Sequence, residues 1–474
     1  MTSSAQLKQE RKQKLILESK SLSKSILILA LPIFLSNFMK AFNDIIDLYF
    51  VTNLIDESIV EYATTAINIP GPVINITHAL AGGFMTAGAA IIAQYLGARK
   101  KQEANKVAGQ LLSLCIITGI VMNIFLYIFT PTIMRWMGAE GLSLEFMIQY
   151  IRIRSFEMVP LFAFFAFQAS RTASGDTVTP FVLNIIMIAF NIASTWLFIS
   201  YFQMGVRGAA LGTMLANLII MPIFIILMFK GGERHVSIKI SDVKIDPIEI
   251  RRIFKLAWPV SIAQAFTSLG FLILNSIIYS YGNATVNAFG TGNRINSMVL
   301  MPAMGIGSIT ATFVGQNIGA ENVKRARQSV RSAMRLSIII AIVGAAIILP
   351  IRRELISLFL GKQEEAMNLS VEYMFFILTG LPLMSIFQVF MGTYQGSGET
   401  KFSLIMSMLR LWVMRIPMVL LFKNVFHLPS STIWYAMIIS NFGSAYIGTI
   451  LYSKCKFLPQ TKIRKQKSEE ACLT

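Results

Sequence analysis

Charge is scarce in this chain. Asp, Glu, Lys and Arg together make up 14% of its 474 residues, against about 25% in soluble globular proteins. Hydrophobic residues make up 54%, and mean hydropathy is +0.62. Such a chain cannot hide its apolar stretches in water and needs lipid as solvent. The three cysteines, Cys115, Cys455 and Cys472, have neither disulfide-framework nor metal-ligand spacing. Cys472 also stands one place too late for a prenylation box. Histidine is limited to His78, His235 and His427, and there is no His-Glu-x-x-His, Gly-x-Ser-x-Gly or Walker loop. These absences argue against a membrane enzyme, an ATP-driven pump, a metal centre or any cofactor. The net charge of +18 could suggest nucleic acid. However, the basic residues fall in short runs between apolar spans, which fits basic cytoplasmic loops and no nucleic acid.

About 20 apolar residues cross a bilayer. By that ruler twelve spans are predicted, at 25–53, 63–96, 107–131, 146–171, 178–201, 208–229, 256–282, 287–317, 333–350, 367–396, 402–422 and 432–453. The fold class is therefore an all-α polytopic membrane protein. With the N-terminus inside, 30 Lys and Arg fall on the cytoplasmic side and six on the other. That asymmetry predicts that both ends are cytoplasmic. The polar first 24 residues carry no cleavable signal pattern and read as a tail, as do residues 454–474.

The hydrophilic stretch 230–255 reads as a linker, and the sequences on either side of it repeat. Gln94-Tyr-Leu-Gly97-Ala98 after the second span returns as Gln316-Asn-Ile-Gly319-Ala320 after the eighth, offset by 222. The fourth span carries Pro160 and ends Ser174-Gly175-Asp176-Thr177. The tenth carries Pro382 and ends Ser397-Gly398-Glu399-Thr400. Ala-x-Pro opens both the first and seventh spans, at Pro32 and Pro259, and Asn217 and Asn441 lie in the sixth and twelfth. The order of these matches predicts duplicated six-helix lobes, 25–229 and 256–453. A pseudo-two-fold axis along the membrane normal and a substrate cleft between the lobes would follow.

An ionisable side chain at mid-bilayer costs about 2.5–3.5 kcal/mol even on a lenient scale, so it usually faces a cavity or a partner. In the first span Asn37, Lys40, Asp44 and Asp47 stand three, four and three apart, with Asn43 beside them. That spacing draws a polar stripe on a helix, and the stripe must point inward. Lys40 and Asp44 could form a structural ion pair. Asp47 has no such obvious partner, and a partly dry cavity favours the neutral form of a carboxyl, which suits a proton carrier. Its counterpart in the seventh span is Leu274. Asn191 and Thr195 lie four apart on the fifth span, with Asn184 seven before Asn191. They could offer ligands to an ion or substrate, or hydrogen-bond between helices. Gln168 and Asn217 are similar cases. Arg154 and Glu157 form a plausible local pair, while Arg152 can snorkel. The second half places Arg294, Arg410 and Arg415 within spans and almost no acids near them in sequence. These arginines could find carbonyl partners in kinked helices or contact an anionic group.

Taken together, the twelve spans, the Ala-x-Pro openings, Asp44-Ile-Ile-Asp47-Leu-Tyr-Phe-Val, the two repeated loops and Leu-Arg410-Leu-Trp-Val-Met-Arg415-Ile-Pro resemble the multidrug and toxic compound extrusion (MATE) transporters. The resemblance covers roughly 25–455. It implies a V-shaped cleft between the lobes, alternating access, and antiport of small amphiphilic, often cationic compounds against proton or sodium. The protein would act as a monomer in a bacterial plasma membrane. By the resemblance, Asp47 matches the family's coupling aspartate and Asn191 its fifth-helix asparagine. Thr195 stands where an acid is often found. Thr267 and Ser385 replace acids of the sodium-coupled NorM-like branch, so the pattern is closer to the DinF-like branch. Proton coupling through Asp47 is preferred, with sodium at Asp47, Asn191 and Thr195 as the alternative. A flippase or exporter of lipid-linked or anionic cargo and a channel are the other readings.

Overall fold

The computed structural model describes residues 15–55, 60–68, 70–230, 236–360 and 364–459. Cys472, His235 and the outer parts of both expected tails lie outside the described residues. Helix α1 is Leu22–Leu54, α2 Val60–Asn68, α3 Gly71–Gly97 and α4 Lys101–Trp136. Then come α5 Gly141–Ser155, α6 Met158–Ala173, α7 Val178–Trp196 with a π-helical continuation Leu197–Tyr201, and α8 Gly205–Phe229. A short α9, Ile240–Val243, precedes α10 Pro247–Tyr279. The series continues with α11 Asn283–Gly319, α12 Val323–Ile348, α13 Arg352–Leu360, α14 Glu364–Thr379 and α15 Leu381–Ser397. It ends with α16 Thr400–Met408, a π segment Leu409–Arg415, α17 Ile416–Asn424 and α18 Thr432–Lys454.

Among the described residues, nine helical stretches are long and apolar enough to cross a membrane, and α14–α15, bent by 49°, makes a tenth. The other two expected spans correspond to α5–α6 and α18. The helix breaks have local causes. Pro160 has no N–H for the Phe156 carbonyl and its ring crowds that carbonyl, so α5 and α6 part at Phe156–Glu157. Pro382 follows the bend at Gly380 in the same way. Pro417 likewise leaves Val413 without its helical donor, just where the π segment runs. On α4, Ile117, Val121, Ile124 and Ile128 form an exposed apolar stripe at helical spacing, as a lipid-facing surface requires.

The helices form two compact units, one of residues 35–261 and one of 15–34 with 262–459. In the first, Phe164 and Phe167 pack on Phe224 at ring-centroid distances of 5.5 and 5.7 Å. In the second, Trp434 lies against Tyr373 at 4.6 Å. Residues 25–34, on the first span, pack with the second unit: Ile26, Leu29 and Ala30 are buried with Ile306, Ile309 and Phe313. Residues 236–261 pack with the first. The repeat is visible in the backbone. Arg99 and Glu321, 222 apart, both take positive φ, 58° and 59°, and the glycines at 175 and 398 do so at 77° and 81°.

The segment between the repeats is a latch. Gln110 on α4 donates from Nε2 to the carbonyls of Asp242 and Lys244 at 2.7 and 2.6 Å, and its Oε1 accepts from Asp246 N at 2.7 Å. Ser113 donates to the Val243 carbonyl at 2.7 Å, and Lys106 Nζ lies 2.7 Å from Asp246 Oδ2. The approach needs Gly109: a Cβ there would sit 2.5 Å from the Asp242 carbonyl oxygen. Asp246 also caps α10 by accepting from Ile248 N at 3.0 Å, with Pro247 at the first helical position.

Losing the three Gln110 bonds leaves half-buried backbone groups without these partners, so Gln110→Ala is expected to destabilise the protein by about 1–3 kcal/mol, read as a lower unfolding midpoint in detergent. The Lys106 hydrogen bond holds the Asp246 carboxyl below the usual carboxylate range. Its contribution is therefore full above that usual range and is lost as pH falls through the lowered value. Hydrogen-exchange protection of residues 240–246 should fall in that acid window, and Asp246→Asn should remove the dependence.

Candidate ion-coupling site

The polar stripe of α1 lies in the first unit and is hydrogen-bonded to α7. Asp47 is partly buried, and Asn43, one turn earlier, donates from Nδ2 to Asp47 Oδ2 at 3.2 Å. Asn191 is buried on α7 between α1 and α8. In the amide orientation that satisfies both of its ends, its nitrogen donates to Asp47 Oδ1 at 3.1 Å and Asn43 Oδ1 at 2.9 Å. Its oxygen then accepts from Thr213 Oγ1 at 3.1 Å. Asp47, Asn43, Asn191 and Thr213 thus form one hydrogen-bonded group across three helices. Thr195, fully buried, lies one turn beyond Asn191 on the same helix.

Arg154 is the residue that sequence reasoning left out of this site. Its Nε and one terminal nitrogen reach Glu157 Oε1 at 3.0 and 2.6 Å, and the other donates to Tyr150 Oη at 3.1 Å. That is the expected local pair, but the Arg154 charge also acts on both Asp44 and Asp47. Glu157, at the α5–α6 break, is buried and acts on Asp47 as well. Nothing in the chain signals this, because an arginine three residues before a glutamate reads as self-contained. Arg152 donates to the Tyr127 carbonyl at 3.2 Å and lies over that ring.

Other candidates fall elsewhere. Lys40 and Asp44 are exposed and feel each other's charge, but among the described residues they make no direct ion pair. Four-residue spacing permits such a pair without compelling it, because both side chains are free to extend away from each other. Asn184 donates to Ser36 Oγ at 2.8 Å and ties α7 to α1. Asn217 donates to the Thr213 carbonyl of its own helix at 2.9 Å. Asn37 and Gln168 are partly buried, and Arg294 is exposed. Arg415 is buried in the second unit. Among the described residues no group of three or more His, Cys, Asp or Glu could hold a metal ion.

The site depends on a close approach of α7 and α8 at Gly212, next to Thr213. A Cβ there would lie 2.2 Å from Thr195 Oγ1 and 2.8 Å from Thr195 Cα. Gly212→Ala must push the two helices apart and draw Thr213 from Asn191. Overpacking of this kind costs about 1–3 kcal/mol, so a lower unfolding midpoint and reduced transport are expected. Gly208→Ala, where a Cβ would meet the Phe198 backbone at 3.0 Å, serves as the control away from Asn191 and should spare more of the transport.

The family model for MatE matches the chain twice, at residues 32–197 and 259–421, once in each repeat. The probable multidrug resistance protein YoeA of Bacillus subtilis is 24% identical, over 87% of this chain and 90% of the relative. The multidrug export protein MepA of Staphylococcus saprophyticus is 21% identical, over 89% and 91%. Among solved structures, a MOP superfamily transporter from Pyrococcus furiosus superposes with TM-score 0.86 at 23% identity, covering 94% of this chain and 97% of that one. An outward-facing multidrug resistance MATE family transporter gives 0.86 at 22%, with the same coverage. The fold is therefore that of twelve transmembrane helices in two lobes, and the chain belongs to the MatE family of membrane transporters.

Proposed function

We propose that this chain is a secondary active exporter of small amphiphilic cations, sited in a bacterial plasma membrane with both termini cytoplasmic. It exchanges its substrate for protons by alternating access, and Asp47 carries the proton. The observation that supports this reading is the Asp47 carboxylate, shared between Asn43 and Asn191 and lying in the field of Arg154. A charged Asp47 accepts both amide hydrogen bonds and attracts the guanidinium. Protonation removes the charge and turns one carboxyl oxygen from an acceptor into a donor. The Asn43–Asn191–Thr213 group must then rearrange, and it spans α1, α7 and α8. A proton entering from outside thus alters the packing of three helices at once, and that is how its binding biases the transporter toward one state. The relatives' names speak of drug export, which favours this cargo over lipid-linked or anionic compounds.

The experiment is efflux of a cationic dye from proteoliposomes under an imposed proton or sodium gradient, each applied alone. The proton gradient is expected to drive efflux and Asp47→Asn to reduce it to background, with the variant folded. Efflux driven by sodium alone would replace the proton in this scheme. Normal proton-driven efflux in Asp47→Asn would remove Asp47 from it.

A further inference from the structure

Among the described residues the second unit buries two arginines and no acid. Arg410 and Arg415, on the π segment after α16, are 5% and 4% exposed, whereas the buried acids Glu157, Asp176 and Glu249 all belong to the first unit. Among the described residues no Asp or Glu makes an ion pair with either guanidinium. The charge that acts on Arg410 is that of Arg415, so the two repel each other.

Their present partners are unequal. Arg415 donates to Ser440 Oγ at 2.9 Å, Asn441 Oδ1 at 2.8 Å and the Met437 carbonyl at 3.5 Å. Arg410 has the sulfur of Met384 at 3.1 Å and the ring of Phe387 at 4.1 Å. Its Nε is buried with no partner. Trp434 Nε1, on α18, is another buried donor with none, and the Trp434 ring packs on Tyr373, which lies in the field of Arg415. Buried polar groups are satisfied in native proteins with few exceptions, and an unpaired buried charge is the most costly of these. Among the described residues this interior lacks an acceptor with negative charge.

We propose that the core of the second unit, at Arg410 and Arg415, binds a compact oxyanion. A carboxylate or phosphate accepts hydrogen bonds without donating any, and its oxygens match the guanidinium fork. It would engage the free Nε of Arg410 and neutralise the repulsion between the two arginines. The π segment contributes by carrying both side chains inward, a role such segments often have at functional sites. The oxyanion is either free in solution or carried on a lipid headgroup. The inference uses the second unit alone and stands apart from the role of Asp47.

The test uses the full-length protein in nanodiscs of zwitterionic lipid, with or without phosphatidylglycerol. Unfolding midpoints are compared in sodium phosphate and sodium chloride at equal ionic strength. A rise with phosphate in zwitterionic discs indicates a free oxyanion, and a rise with phosphatidylglycerol in chloride indicates a headgroup. Either supports the site provided that Arg410→Gln and Arg415→Gln abolish it or shift the phosphate needed by roughly tenfold or more. With neither anion present, Arg410→Gln should unfold no earlier than the wild type, because it removes an uncompensated charge. Should the variants not fold, wild-type protein alone decides, by equilibrium dialysis of labelled phosphate and by native mass spectrometry for retained phosphatidylglycerol. Retention of neither, or a stabilisation that persists in both variants, overturns the proposal.

Discussion

A bilayer offers no water to a stranded polar group, so each charge placed among these helices needs a partner inside the protein. That constraint organises the molecule. In the first unit it is met by pairing: Arg154 with Glu157, and Asp47 with Asn43 and Asn191. In the second unit a hydroxyl, an amide, a carbonyl, a sulfur and a ring surround two arginines without neutralising them. A common scaffold thus carries two opposite electrostatic interiors. We propose that the first, with its buried and half-buried carboxyls, couples the ion.

Much of the scaffold is legible in the chain because its causes are local. Twenty-residue apolar spans, prolines at helix breaks and glycines at positive φ all act through neighbours in sequence. For that reason the loops at Gln94 and Gln316 share their backbone conformation as well as their residues. The stripe from Asn37 to Asp47 is equally local, since one helix sets its spacing.

What escapes sequence reasoning depends on contacts between distant segments. Arg154 reads as half of a closed pair with Glu157, and its action on Asp47 arises only when the fold brings its charge within reach of α1. Asn184 and Asn217 read like Asn191 but are taken up by Ser36 and by a helical carbonyl. The stretch 230–255 reads as a tether because it is hydrophilic. Gln110, Ser113 and Lys106 instead hold its second part against α4. An amide or hydroxyl within an apolar span announces that it has a partner, not which one.

The central claim is that one carboxyl in the first unit exchanges its proton as substrate is handled. The most direct measurement is proton release by purified protein in weak buffer when a cationic substrate is added. Wild type should release protons on binding and Asp47→Asn none, with substrate affinity still measurable in the variant. Equal release from both proteins would contradict the account.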